Sequence, residues 1–387
     1  MNTKPKNKPV NPSFSSGPCP KYPGWNVTDL QSALVGRSHR SAEGKEKLRY
    51  AIDLTKKILQ IPDEYLVGIV PASDTGAVEM ALWNLLGSRP VEVIAWESFG
   101  SEWVQDVVSA LKIENARTTI ADYGKLPALD DICFESDLVF VWNGTTSGVR
   151  LPDGNWIPSE RTGLTICDAT SAAFAMRLPW EKLDVTTFSW QKVLGGEAAH
   201  GVIVMSPRAI DRLEHYEPPW PLPKIFRLSK SGEVNKSLFE GATINTPSLL
   251  CVEDYLMALE WAEQIGGLKA LCARADNNLE VIVTWVESIP WIDFLAERVE
   301  CRSNTSICLK ITADWFTDEP PDRQREITKY MVGLLEEERV ALDIESYRSA
   351  PSGLRIWGGA TVESEDIQLL LPWLEWAYLE ARDRFPE

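Results

Sequence analysis

Between about residue 45 and residue 206, short apolar runs alternate with helix-like segments, and polar residues do not interrupt the runs. They cover 66–70, 91–96, 137–142, 164–167, 185–190 and 201–205. A strand with one face in water alternates apolar with polar residues, whereas a strand buried on both faces does not. The pattern therefore predicts an α/β architecture, a mostly parallel sheet covered by helices. Between the first two runs, Val78, Ala81, Leu82, Leu85 and Leu86 fall at i, i+3, i+4, i+7 and i+8, one face of a helix opening at about Ala77.

Beyond residue 206 the pattern changes. Residues 217–223 are proline-rich and 228–239 polar, which predicts an irregular excursion. A helical pattern over 248–264 follows. Then come helix 268–286, strand 305–311, helix 323–338, strands near 341–346 and 353–357, and helix 364–384, a smaller α+β domain. At 387 residues the chain exceeds one average domain. We expect an N-terminal segment 1–16, a large domain 17–255 and a small C-terminal domain 256–387.

A net charge of −17 argues against nucleic acid or an anionic membrane as the main partner. An anionic substrate would need a local cluster of arginines. The first nine residues are basic and proline-bearing without an apolar stretch, so they read as a disordered tail rather than a signal peptide. No apolar run reaches membrane-spanning length. Seven scattered cysteines without C-x-x-C spacing, and only three histidines, point away from zinc and toward reduced thiols in the cytoplasm. Sixteen tryptophans suit core or subunit-interface packing.

In open sheets of this kind ligands bind beyond the carboxyl ends of the strands, so the residues after each strand matter most. After 66–70 comes Pro71-Ala72-Ser73-Asp74-Thr75-Gly76, a phosphate cradle at a helix N-terminus or else a simple N-cap. As a cradle it needs the Asp74 carboxylate turned away while the backbone N–H faces the phosphate. After 91–96, Phe99 either stacks on a planar ring or joins the core. After 137–142, the hydroxyls of Asn143-Gly144-Thr145-Thr146-Ser147-Gly148 bond a phenolic oxygen or make a polar turn. Asp168 ends the fourth strand. Gln191-Lys192 follows the fifth, ahead of Val193-Leu194-Gly195-Gly196. Alone, such a lysine is usually solvated and such an aspartate often caps a helix. Together, in this order, the five features point to pyridoxal 5'-phosphate (PLP). Lys192 would form the imine, and Asp168 would keep the ring nitrogen protonated so that the ring accepts electrons from the substrate Cα.

The chain resembles the class V branch of fold-type I PLP enzymes, and within it the phosphoserine aminotransferase family. The resemblance runs from Phe14-Ser15-Ser16-Gly17-Pro18 to the C-terminal helix. It includes Ser38-His39-Arg40, Gln191-Lys192 and Asn245-Thr246-Pro247. It implies the fold-type I architecture, a seven-stranded-type sheet with a smaller C-terminal domain, and makes Lys192 the Schiff-base lysine and Asp168 the pyridinium partner. Phe99 takes the ring-stacking position and Thr145 the phenolic oxygen. Backbone groups of Asp74 and Thr75, with Gln191, hold the cofactor phosphate, which Asn245 and Thr246 reach from the other subunit of a homodimer. Arg355 matches the clamp for the substrate α-carboxylate, and His39, Arg40 and Arg348 match the substrate-phosphate site. The chain departs from the widespread form in having Ser73-Asp74-Thr75-Gly76 where a glycine-rich loop is usual. It also has Tyr347 in place of a histidine.

The expected reaction is transamination between L-glutamate and 3-phosphohydroxypyruvate, giving O-phospho-L-serine in serine biosynthesis. A related keto acid of pyridoxine biosynthesis is a further substrate by the same resemblance. The alternatives are a serine–glyoxylate type transaminase, a cysteine desulfurase or lyase, and a non-catalytic PLP carrier. A desulfurase needs an exposed, mobile cysteine in the small domain, and Cys301 and Cys308 lie in or beside a strand pattern.

Overall fold

The computed structural model describes residues 3–230 and 232–386. Helix α1 (Ala42–Leu59) leads into β1 (Leu66–Pro71), α2 (Ser73–Leu85), β2 (Val91–Ala95), α3 (Ser98–Gln105), β3 (Ala116–Ile120) and β4 (Asp137–Val141). A short hairpin, β5 (Asn143–Gly144) with β6 (Val149–Arg150), precedes β7 (Thr165–Asp168), β8 (Val185–Ser189), β9 (His200–Met205) and α4 (Pro207–His215). The excursion that follows carries the small pair β10 (Ser229–Lys230) and β11 (Glu233–Val234). Next come α5 (Leu249–Gln264), α6 (Gly267–Ser288), β12 (Ile292–Phe294), β13 (Ser306–Ile311), α7 (Asp314–Thr317), α8 (Pro321–Glu337), β14 (Leu354–Trp357) and α9 (Ser364–Arg384).

Seven strands form the main sheet in the order β1-β9-β8-β7-β4-β2-β3. From β8 to β3 every neighbouring pair is parallel, while β9 runs antiparallel to both β1 and β8. Every residue of β2, β4, β8 and β9 is buried, which is why their sequences show no polar alternation. A second sheet, β12-β13-β14, is antiparallel. Among the described residues no helix is long and apolar enough to cross a membrane.

Five elements differ from the sequence-based expectation. Strand β3 was not expected, because Ala116-Arg117-Thr118-Thr119-Ile120 lies half in water on the sheet edge and shows no apolar run. Strand β12, at three residues, is too short to leave a periodic signal. Helix α2 opens at Ser73, four residues early. Ala72 and Ser73 adopt φ of 65° and 54°, so the chain turns sharply off β1 straight into the helix. Segment 341–346 is not a strand. Asp343 at φ 58° interrupts it, leaving only isolated bridges from Leu342 to Ser13 and from Glu345 to Leu354. The start of the chain, expected as a loose tail, packs on the smaller unit. Lys4 and Lys8 pair with Glu338, and Trp373 Nε1 donates to the Asn7 carbonyl at 2.7 Å. Leu342 and Trp357 donate their backbone N–H to the Pro12 and Phe14 carbonyls, and Phe14 is wholly buried.

At the end of the sheet away from the strand carboxyl termini, two aspartates anchor arginines from the flanking segments. Asp184, 1% exposed, accepts from Arg161, Arg208, Ser206 and the Thr165 N–H. Asp137 takes both terminal nitrogens of Arg212, at 2.9 and 3.2 Å. Removing one partner of a buried ion pair leaves the other charge stranded, at about 3–5 kcal/mol. Asp184→Ala is therefore expected to lower the melting temperature by several degrees in a calorimetric scan. A value within roughly one degree of the parent would contradict this account.

Candidate active site

The parallel strands open at their carboxyl ends onto a cavity of about 280 Å³. Each strand end contributes to its wall: Ser73, Asp74 and Thr75 after β1, Glu97, Phe99 and Trp103 after β2, and Asn143 and Thr145 after β4. Asp168 and Thr170 come from β7, and Gln191 and Lys192 follow β8. A sixth contribution, Gly17-Pro18, comes from the N-terminal segment.

Lys192 is 8% exposed, and its Nζ donates to the Ser16 carbonyl at 2.6 Å. Gly17 sits so close that a Cβ there would lie 2.5 Å from Nζ, and its φ of 152° also favours glycine. Burial pushes the Lys192 ammonium down from its ordinary value. Arg355 adds to that, while Cys19, Asp168 and Glu97 oppose it. The amine is thus biased toward its neutral, nucleophilic form. Opposite it stands Asp168, the last residue of β7. Its Oδ2 accepts from Trp103 Nε1 at 3.1 Å and its Oδ1 from the Thr170 N–H at 2.9 Å.

At the mouth of β1, the first turn of α2 presents its backbone N–H groups to the cavity. Gly76 makes that turn possible, since a Cβ would lie 2.3 Å from the Pro71 carbonyl oxygen. The Asp74 carboxyl in this turn is buried, with its Oδ1 fully enclosed. It is 6% exposed, and burial first and the Asp168 charge second push it well above the ordinary carboxylate range. Phe99 and Trp103 sit one turn apart on α3 and share its cavity face. Glu97 caps this helix, accepting from the Gly100 N–H at 2.6 Å and Thr146 Oγ1 at 2.9 Å. Burial raises its carboxyl to about 7, with the Asp168 charge contributing and those hydrogen bonds opposing. Thr145 Oγ1 donates to Ser171 Oγ at 2.8 Å, and Gln191 Oε1 is buried without a hydrogen-bond partner.

The arginines approach from the smaller unit. Arg355, on β14, keeps a buried Nε without a partner and is near enough to act on the charges of Lys192 and Cys19. Tyr347, in the segment before β14, gathers side chains from distant parts of the sequence. Its ring lies 5.7 Å from Phe99, 5.5 Å from the Arg348 guanidinium and 5.6 Å from that of Arg355. Nearby, Ser349 Oγ bonds Ser98 Oγ at 2.6 Å. Not every expected residue lines the cavity within one chain. Asn245, Thr246, Arg40 and Arg348 are exposed, His39 and Arg355 half-exposed, and none of the six lines it.

Trp103, Glu97 and Tyr347 were not among the expected site residues. Spacing alone could have found Trp103, four residues after Phe99 on an amphipathic helix. Glu97 lay in the quoted loop but reads as an ordinary cap. Cys301 and Cys308 are 2% and 5% exposed, and burial pushes the Cys308 thiol up to about 12, which suits neither to the mobile cysteine of a desulfurase.

No family model matches the chain. A phosphoserine aminotransferase of Methanosarcina mazei is 58% identical over 97% of this chain and 99% of its own length. The phosphoserine aminotransferase structure from Cytophaga hutchinsonii superposes with a TM-score of 0.79 at 22% identity, over 95% of this chain and 98% of that one. A PLP-bound phosphoserine aminotransferase from Trichomonas vaginalis gives 0.72 at 17% identity, over 94% and 99%. These solved structures share the fold. The identity to the Methanosarcina relative, sustained across both units, shows that the chain belongs to the phosphoserine aminotransferase family.

Proposed function

We propose that the cavity holds pyridoxal phosphate and that this chain transfers the amino group of L-glutamate to 3-phosphohydroxypyruvate, giving O-phospho-L-serine and 2-oxoglutarate. The observation that carries the reading is the pairing in one cavity of a buried amine, Lys192, with a strand-end carboxylate, Asp168, beside the N-terminus of α2. The donor set fits the group. Lys192 would carry it, Asp168 would face the ring nitrogen, and Phe99 would lie against the ring. Thr145 would meet the phenolic oxygen. The Asp74 and Thr75 backbone N–H groups, with the Gln191 side-chain NH2, would take the phosphate.

When bound, the cofactor supplies an electron sink for the charge left at the substrate Cα. The chain's own residues do the rest. Lys192 Nζ, neutral once released, takes the proton from the Cα of glutamate and, in the second half-reaction, delivers one to the Cα of O-phospho-L-serine. Asp168, held by Trp103 and Thr170, keeps its charge aimed in one direction. Arg355 offers its unpartnered Nε to the α-carboxylate. Arg348 binds the substrate phosphate. We propose that His39, Arg40, Asn245 and Thr246 serve the cavity of a second copy in a cytoplasmic homodimer. Their exposure outside the single-chain cavity supports this, as do seven free cysteines.

The test is to add glutamate to the purified holoenzyme and follow the absorbance of its bound cofactor, then to add 3-phosphohydroxypyruvate. The band is expected to fall and then recover, and Lys192→Ala is expected to show neither change. Loss with serine or alanine but no recovery with the phosphorylated keto acid would instead favour a serine–glyoxylate transaminase. Running the second step with the pyridoxine-pathway keto acid tests that substrate separately.

Glu97 generates a pH prediction. Its carboxyl, at about 7 in the folded protein, ionises as pH rises through neutrality and adds a negative charge to the cavity wall. That charge holds the Lys192 proton more tightly and repels anionic substrates. The ratio of kcat/KM for parent over Glu97→Gln should therefore fall between about pH 6 and about pH 8. A ratio flat across that span would remove Glu97 from the electrostatics of the site.

A further inference from the structure

One buried carboxyl has no task in the reaction so far. Asp74 Oδ1 is fully enclosed and has no hydrogen-bond partner. Its side chain lies against the Asp168 carboxylate and the Cys167 thiol from β7, Thr170 from the turn beyond, and Thr187 from β8. These neighbours bring no positive charge. Asp168 is the better acceptor of the pair, since each of its oxygens already takes an N–H. Asp74 receives none, and only the Thr170 and Thr187 hydroxyls can give it a hydrogen bond. Two aspartates in contact, one of them fully enclosed, do not both ionise, so one proton belongs to the pair. The dipole of α2 would favour an ionised Asp74, but repulsion at contact distance outweighs it.

We infer that Asp74 is a neutral acid that donates a hydrogen bond to Asp168, a positioning residue for the carboxylate that faces the cofactor ring. The arrangement does two things at once. It gives Asp168 a donor besides Trp103 and Thr170, and it keeps a second anion out of the cavity wall. The backbone N–H of the same residue can then face a phosphate without its carboxylate opposing it. Burial, followed by the Asp168 charge, raises Asp74 well above the usual carboxylate range, in keeping with this assignment. The kinetic consequence rests on the reaction proposed above, whereas the protonation state does not.

Infrared spectra of the cofactor-free protein in H2O and D2O, at about pH 9, read the proton directly. Glu97, at about 7, and Asp106, at about 6, are ionised by then. An un-ionised carboxyl band that moves on deuteration is expected, and aspartate-specific 13C labelling should shift it without recourse to any variant. It should vanish in Asp74→Asn. No such band in the parent, a band unmoved by labelled aspartate, or one that survives in Asp74→Asn would overturn the assignment. In the holoenzyme, Asp74→Asn keeps a donor and should retain kcat within about threefold. Asp74→Ala should lose about ten- to hundredfold, the worth of one hydrogen bond to a charged group, with KM for glutamate nearly unchanged. An equal loss in both variants would reduce Asp74 to a matter of shape and overturn the proposal.

Discussion

A half-buried carboxylate on the cavity wall ties its surroundings together. Asp168 sits where β7 ends, and a carboxylate partly withdrawn from water needs donors. It finds them in Trp103 from α3 and in the Thr170 backbone. Those bonds tie the helix after β2 to the turn after β7 across the intervening strand β4. The orientation of α3 then follows, and with it the face that bears Phe99. Glu97, capping that helix and gripping Thr146, links it to the turn carrying Thr145. The cavity wall is thus a chain of dependent contacts radiating from one charge, built where parallel strands necessarily end together.

Much of this was legible because burial writes itself into composition. Runs such as Val139-Phe140-Val141 can be strands only if both faces are covered, and that alone predicted the sheet and the side on which ligands enter. Elements at the edge of the sheet left no such trace. β3 carries Arg117, Thr118 and Thr119 because it meets water, and so it looked like loop. The early start of α2 was hidden for another reason. Ala72 and Ser73 occupy the left-handed region without being glycine, so nothing in their identity announces the turn. In the site, residues attached to strand ends were found by position. Tyr347 was noted only as a departure, since its contacts with Phe99, Arg348 and Arg355 join segments far apart in sequence. The cradle reading required the Asp74 side chain to point away, but its neighbours Asp168, Thr170 and Thr187 were not foreseen.

The charge distribution follows the same economy. A chain with a net charge of −17 repels small anions at long range. Arg355 and Arg348 counter this only locally, gathered around the ring of Tyr347 from the smaller unit. On the proposed function, the two guanidiniums would distinguish two anionic groups of one substrate by where each stands rather than by overall attraction.

The N-terminal segment has a consequence for how the protein comes into being. Its backbone is bonded to Leu342 and Trp357, and three residues after Phe14 it reaches the cavity wall at Gly17, just past the carbonyl that holds Lys192. During synthesis Pro12 and Phe14 precede their partners Leu342 and Trp357 by more than three hundred residues, whereas Cys19 already bonds the Gln191 carbonyl. The large sheet can form while the ribosome is still working. The Ser16 carbonyl that accepts from Lys192 is then fixed on one side by Cys19, and on the other only once β14 has left the exit tunnel.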